Sequence, residues 1–248
     1  MEKVTAIEKT LFVLNEFTKK PYSYSAKELS EHLSFSKPTV HRILNILEKF
    51  HYVRRNYTGQ YTIGYKAYQV GLIYANNTDI FLEIGRIIDD VAQITGEQVG
   101  YAVLEGTDVV SIYESQVQDS RIRYIAGRVY PINAGCYGKV LMAFSHPIEE
   151  LREIVSNFKL EKVSPGAILD PKALLCEYEK IISRGFADSE DEYLDGTVGL
   201  GVPVFHSNGS IHGCISLGAI KSKHFGENKE EYIAELLKAA KRIGQILL

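Results

Sequence analysis

The run Ser36-Lys37-Pro38-Thr39-Val40-His41-Arg42-Ile43-Leu44-Asn45 concentrates the polar chemistry of the first quarter of the chain. Lys37 can neutralise a phosphate, and Ser36 and Thr39 offer short hydroxyls to phosphate oxygens. Arg42 is suited to bidentate contact with a base edge, and His41 and Asn45 are polar candidates for DNA contact beside it. Read as a helix over 37–50, the segment turns Val40, Ile43, Leu44, Leu47 and Phe50 inward and Lys37, Thr39, His41, Arg42, Asn45 and Lys49 outward. A solvated helix face has the same composition, so the flanking elements have to decide between the two readings.

Catalytic chemistry has less to stand on. The sequence holds no GxGxxG after a strand, no Walker loop, no HExxH and no GxSxG. Gly135-Cys136-Tyr137-Gly138-Lys139 lacks the full Walker spacing, and no hydroxyl residue follows the lysine. Cys136 has no base in register and reads as a small buried thiol. Glu190-Asp191-Glu192 reads as a solvated acidic turn in preference to an acid–base pair or cation site. No catalytic residue, metal site or cofactor is therefore expected.

Cys136, Cys176 and Cys214 leave one thiol unpaired in any disulfide scheme and show no CxxC-like spacing. That pattern fits a reducing, cytoplasmic setting. No apolar run approaches the ~18 residues needed to cross a bilayer, and the N-terminus lacks a secretory stretch, so no membrane partner is expected.

The elements around the polar helix point one way. Ile7, Leu11, Leu14 and Phe17 recur at helical spacing, and Pro21 follows. Ser25-Ala26-Lys27-Glu28 has the form of a capping box opening a short second helix over about 26–33, which buries Leu29 and Leu33. Ser34-Phe35-Ser36 makes the turn, with Ser36 as N-cap of the third helix and Pro38 in its first turn. Tyr52-Val53-Arg54-Arg55 and Gln60-Tyr61-Thr62-Ile63 then flank a turn containing Gly59, which predicts a β-hairpin. Two short helices, a longer one and a basic hairpin make a winged helix-turn-helix, in which Arg54 and Arg55 would grip DNA beside the helix. Charge agrees: the chain has a net −3, yet residues 1–64 hold ten Lys/Arg against six Glu. A cationic head on an anionic body suits a chain of which one part touches a polyanion.

The stretch 36–44, followed by Tyr52-Val53-Arg54-Arg55 and Gly59-Gln60-Tyr61-Thr62-Ile63-Gly64, resembles the DNA-binding domain of the IclR family of bacterial regulators. That family usually has a serine before the matching threonine, where this chain has Pro38.

Beyond residue 64 the pattern predicts a connecting helix over 66–74 and a richly apolar helix that opens at Asp79 and ends before Gly96. A hairpin over 98–115 and a third strand over 121–126 follow. Helices are expected at 138–144, 147–156 and 171–184, strands at 185–188, 197–205 and 210–219, and a closing helix at 228–247. Runs of strands and runs of helices make an α+β fold with an antiparallel sheet flanked by helices. The order resembles the GAF-like effector domain of the same family, with matches at 130–139, 181–186, 190–192 and 202–205. The expected divisions are a winged helix-turn-helix over 1–64, a linker helix over 65–77 and the effector-binding domain over 78–248.

The resemblance implies that an effector sits where the loop at 130–138 meets strands near 189, 199 and 216. It singles out Tyr130, Ala134, Gly135, Cys136, Tyr137, Ser189, Gly199 and Ser216. This chain has Tyr137 where family members carry small residues or acceptors, and Ser189 where an Asp is often found. With backbone N–H groups at the start of the 138–144 helix, such a site suits an anionic ligand, a carboxylate or sugar acid. Arg123 is a second candidate anchor. The reading is thus a DNA-binding transcriptional regulator, expected to be a repressor. Its partners are a double-stranded DNA operator, a small-molecule effector and further copies of itself, as a dimer or dimer of dimers. The effector would act by favouring one spacing of the DNA-binding domains, with the helices over 66–95 as lever. Two rivals stay open: a winged helix that binds protein instead of DNA, and an enzyme with an appended winged helix.

Overall fold

The computed structural model describes residues 4–76, 79–117, 122 and 124–247. The chain divides into two compact units, Met1–Thr78 and Asp79–Leu248.

In the first unit, α1 (Ala6–Glu16) and α2 (Ala26–Leu33) are each opened by a capping box, Thr5 with Glu8 and Ser25 with Glu28. Between them lies β1 (Ser23–Tyr24), a short strand that the sequence pattern does not announce. It lines up on β3 (Tyr61–Ile63), which pairs with β2 (Val53–Arg55), in the order β1-β3-β2. The third helix, α3 (Lys37–Lys49), buries Val40, Ile43, Leu44 and Leu47 against Val13, Phe17, Tyr24 and Leu29.

Three local expectations fail here. Ile7 and Leu11 are exposed and Val13 is the fully buried residue of α1, because the helix rests its other face on α3. Phe50 is exposed instead of completing the α3 stripe, since the helix ends at Lys49 and Phe50 is its C-cap. Ser36 occupies the N-cap position of α3 but makes no capping bond; its Oγ lies 2.8 Å from Thr39 Oγ1 instead. Helix α4 (Tyr65–Asn76) closes the unit and leaves Tyr68, Val70 and Ile73 exposed.

The second unit is one antiparallel sheet with helices on both faces. Its strands are β4 (Gln98–Glu105), β5 (Asp108–Glu114), β6 (Val129–Tyr130), β7 (Ala187–Glu190), β8 (Thr197–Phe205) and β9 (Ile211–Ile220), in the order β6-β5-β4-β9-β8-β7. Alternation sends Val99, Tyr101, Leu200, Val202, Ile215 and Leu217 to one face, where α5 (Asp79–Thr95) and α9 (Lys223–Ile246) cover them. Ala102 and Cys214 face the other way, under α6 (Cys136–Ser145), α7 (Ile148–Asn157) and α8 (Pro171–Arg184).

Helix α6 starts at Cys136, two residues before the predicted position, and α9 starts at Lys223 behind an N-cap at Ser222, five before. The expected third strand over 121–126 is replaced by β6 at 129–130: residues 122 and 124–126 carry no strand, and Arg121 and Arg123 lie outside the described residues. Gly138 lets α6 sit on the 131–132 backbone, where a Cβ would run into Pro131 O and Ile132 Cα. Among the described residues, no helix is long and apolar enough to cross a membrane.

Candidate functional site

The outward face of α3 carries Lys37, His41, Arg42 and Asn45, all exposed, with Thr39 half-buried at the first turn. None of these side chains except Thr39 is drawn into a hydrogen bond or ion pair among the described residues, so the face presents free donors. In the hairpin, Val53 pairs with Ile63, Arg54 with Thr62 and Arg55 with Tyr61. Successive residues of a strand point to opposite faces, so Arg54 and Arg55 do not share one. Arg54 donates to Thr62 Oγ1 (3.3 Å), whereas Arg55 donates to Gly59 O (3.2 Å) and lies over the Tyr61 ring. Gly59 holds φ at +84°, which the turn requires. Tyr57 stands fully exposed at the tip.

In the second unit all eight residues singled out for an effector converge on one cavity. Tyr130, Ala134, Gly135, Cys136 and Tyr137 come from the segment entering α6, Ser189 from β7, Gly199 from β8 and Ser216 from β9. The neighbouring strands are tied by register, Ser189 opposite Gly199 and Gly201 opposite Ser216. Gly199 and Gly201 matter sterically, because a Cβ at Gly199 would crowd Ser189 Oγ and one at Gly201 the Cys136 Cβ. Tyr124 and Tyr193, which sequence reading did not name, add two more aromatic rings to the lining. The four tyrosines nearly fill the space: Tyr130 meets Tyr137 at 5.0 Å and Tyr193 at 4.9 Å between ring centroids. About 30 Å³ stays open, room for a water or two. Burial first, and the charge of Glu114 second, hold the Tyr124, Tyr130 and Tyr137 hydroxyls above their ordinary range. All three are neutral donors.

No side chain caps α6, so its first-turn N–H groups meet the cavity without a side-chain acceptor. The N–H of Gly135, just ahead of them, donates to Glu192 Oε2 (3.0 Å). Glu192 Oε1 in turn accepts from Lys139 Nζ at 2.7 Å. Lys139 is fully buried, donates also to Asp188 O (2.7 Å) and lies 3.6 Å from Glu177 Oε1. Burial pushes the Glu192 carboxyl up, while Lys139 and the Gly135 N–H pull it back without cancelling the rise. The acidic run 190–192 is therefore not uniformly solvated: Glu192 points inward and ties the turn before β8 to the start of α6. Among the described residues Cys136 Sγ has only Ala187 O and Ser189 Oγ as partners, and burial pushes its thiol up to about 11, the opposite of nucleophile activation. Cys176 is exposed and Cys214 buried, and all three thiols are free.

A carboxyl that sequence reading passed over sits beside the cavity. Glu114 is buried, and its Oε1 accepts from Ser111 Oγ (2.6 Å) and from the hydroxyl of the lining Tyr137 (3.2 Å). Burial pushes it up to about 7; the bonds from Ser111 and Tyr137, the Gln98 amide alongside and the Arg128 charge restrain the rise. The folded state therefore holds this proton more tightly than the unfolded chain. The resulting stability is complete below the ordinary value of 4.5 and lost as pH rises through about 7. Glu114→Gln, which cannot ionise, is expected to gain in Tm on the wild type between about pH 5 and pH 8, measured by calorimetry. Parallel Tm curves for the two proteins across that window would show that Glu114 ionises without cost.

The two units together define a class: a winged helix-turn-helix joined to a sheet-and-helix sensor domain. Residues 72–245 match the family model for the bacterial transcriptional regulator IclR C-terminal domain, and residues 6–56 match that for the IclR helix-turn-helix domain. The chain belongs to the IclR family of DNA-binding transcriptional regulators. It is 26% identical over 239 residues to the HTH-type transcriptional regulator KipR of Bacillus subtilis (strain 168), covering 96% of this chain and 94% of that one. The crystal structure of the Thermotoga maritima IclR superposes with a TM-score of 0.72 at 28% identity, covering 97% of this chain and 98% of that one. An IclR homologue from Microbacterium hydrocarbonoxydans, solved in complex with 4-hydroxybenzoate, shares the fold with a TM-score of 0.79 at 20% identity, covering 98% and 99%.

Proposed function

We propose that this regulator represses transcription by binding a two-fold operator as a dimer or dimer of dimers, and that a small carboxylate in the tyrosine-lined cavity controls its DNA affinity. The observation that carries the effector half is the convergence of Tyr130, Cys136, Tyr137, Ser189, Gly199 and Ser216 on one cavity at the uncapped start of α6. In this reading residues 1–64 touch DNA, 65–77 link, and 78–248 bind effector. Lys37, Ser36 and Thr39 meet phosphates, His41, Arg42 and Asn45 read base edges, and Arg54 and Arg55 flank the groove. The 4-hydroxybenzoate held by the Microbacterium homologue supports a carboxylate of that size. Exposed Tyr65, Tyr68 and Leu72, which share one face of α4, support self-association, since a regulator reading a symmetric site needs two copies and a surface to join them. The effector then acts through its differential affinity for two spacings of the DNA-binding units, with the helices over 66–95 as lever.

The test is fluorescence anisotropy of the full chain on DNA from its own upstream region and on a scrambled duplex, across a salt series. The expected result is a preference of about 10³-fold or more for one site, with affinity falling steeply as salt rises. Absence of binding to either duplex at low salt would refute the assignment of this face to DNA and favour a protein partner.

A further inference from the structure

Two buried polar atoms, one on the cavity wall and one beside it, have no hydrogen-bond partner among the described residues: the Tyr130 hydroxyl and Glu114 Oε2. Both residues are more than nine-tenths buried. Such orphans are few in native proteins, and each calls for an explanation. Tyr137 links the two: its ring lies 5.0 Å from that of Tyr130, and its hydroxyl donates to Glu114 Oε1 at 3.2 Å. Glu114 lies opposite Gly100 in the β4–β5 ladder, and Gly100 lies opposite the cavity residue Ser216 in the β4–β9 ladder. Gly100 is what keeps the space free: a Cβ there would fall on Glu114 Oε2 and on the Tyr137 hydroxyl. The Gln98 amide gives one proton to Ser115 O (3.1 Å), and although its charge distribution eases the Glu114 carboxyl it makes no bond to Oε2.

We propose that Glu114 and Tyr130 form a second anchor for the effector, so that the ligand is a small carboxylate carrying a hydrogen-bond donor, a hydroxyl or an ammonium, at the end away from the carboxylate. The proposal rests on the carboxylate reading of the cavity given above. Tyr137 sets the length of that ligand. Its backbone opens α6, where the carboxylate docks, and its hydroxyl reaches Glu114, so one tyrosine side chain spans the two anchors. A hydroxyl at the far end donates to Glu114 Oε2 and accepts from Tyr130, satisfying both orphans at once; an ammonium donates to both. The half-buried Tyr124 and Tyr193 must turn aside to admit such a ligand, because the space left between the rings is only about 30 Å³.

The experiment titrates the full chain with three matched probes: benzoate, 4-hydroxybenzoate and 4-(aminomethyl)benzoate. The wild type, Glu114→Gln and Glu114→Met are compared by calorimetry. At least one donor-bearing probe is expected to bind the wild type about 10-fold or more tightly than benzoate. A hydroxyl donor keeps that preference in Glu114→Gln, which retains an acceptor, and loses it in Glu114→Met; an ammonium loses it in both. Should Glu114→Met fail to fold, infrared difference spectra serve instead. A carboxyl band absent from Glu114→Gln should then move when the donor-bearing probe binds and stay put with benzoate. Equal binding of all three probes to the wild type overturns the second anchor and leaves the carboxylate site standing, with a water on the two orphans. No binding of any of them overturns both.

Discussion

Lys139→Met is expected to destabilise the second unit by about 3–5 kcal/mol, the cost of removing one partner of a buried ion pair. The ammonium is fully buried, bonded to Glu192 at 2.7 Å and to Asp188 O at 2.7 Å. Without it the Glu192 carboxylate keeps, among the described residues, only the Gly135 N–H at 3.0 Å and must either protonate or swing out to water. Either response unpins the 190–196 turn, including the cavity residue Tyr193, from the start of α6. For a unit of this size the loss corresponds to a fall in Tm of about 6–20 °C. Scanning calorimetry of the full chain measures it, with attention to the transition of the second unit. The double variant Lys139→Met/Glu192→Gln should recover part of the loss, because it removes the uncompensated charge. A single variant as stable as the wild type would mean that the turn solvates Glu192 freely and that the pair holds nothing in place.

Arg42→Ala carries the second large effect, on DNA affinity. Arg42 lies exposed on α3, and its helix is held from behind by Val40, Ile43, Leu44 and Leu47. Truncating an exposed arginine leaves that core intact, so the Tm of the first unit should hardly move. A bidentate contact to a base is worth about 1–3 kcal/mol, which predicts a loss of about 5- to 150-fold on the specific site at fixed salt. Binding to scrambled DNA should fall far less, since phosphate contacts supply it. Anisotropy titrations on both duplexes separate the cases. A uniform loss on both, with a shallower salt slope, would make Arg42 a phosphate contact; no loss on either would remove it from the interface.

Glu114 shows how a site residue escapes sequence reading. Strict alternation along β5 puts Ser111 and Glu114 on opposite faces. A bulge changes that: Tyr101 pairs with Tyr113 and Ala102 with Ser111, so Ile112 is the extra residue. Ser111 and Glu114 then share a face and bond at 2.6 Å. Glu192 escaped for a different reason. Three consecutive acids resemble a solvated turn, and only its fully buried partner 53 positions away shows that the middle of the fold needs its charge.

What the sequence determined by itself was everything with a local physical cause. Capping boxes opened α1 and α2, Pro171 behind the capping Asp170 opened α8, Asn208-Gly209 turned β8 into β9, and the apolar period of α3 separated its core face from its polar one. Together with the order of elements, these carried the family and the α+β architecture. The tertiary structure alone decided which residues from distant segments meet. It brought Gly100, Glu114, Tyr130, Tyr137 and Ser216 to one side of the sheet, and it turned Val13 inward in place of Ile7 and Leu11. Helical periodicity says that a stripe will be buried, whereas the neighbour it packs against selects which stripe. Strand alternation likewise fixes faces only until a bulge, set by pairing across the sheet, shifts the count by one.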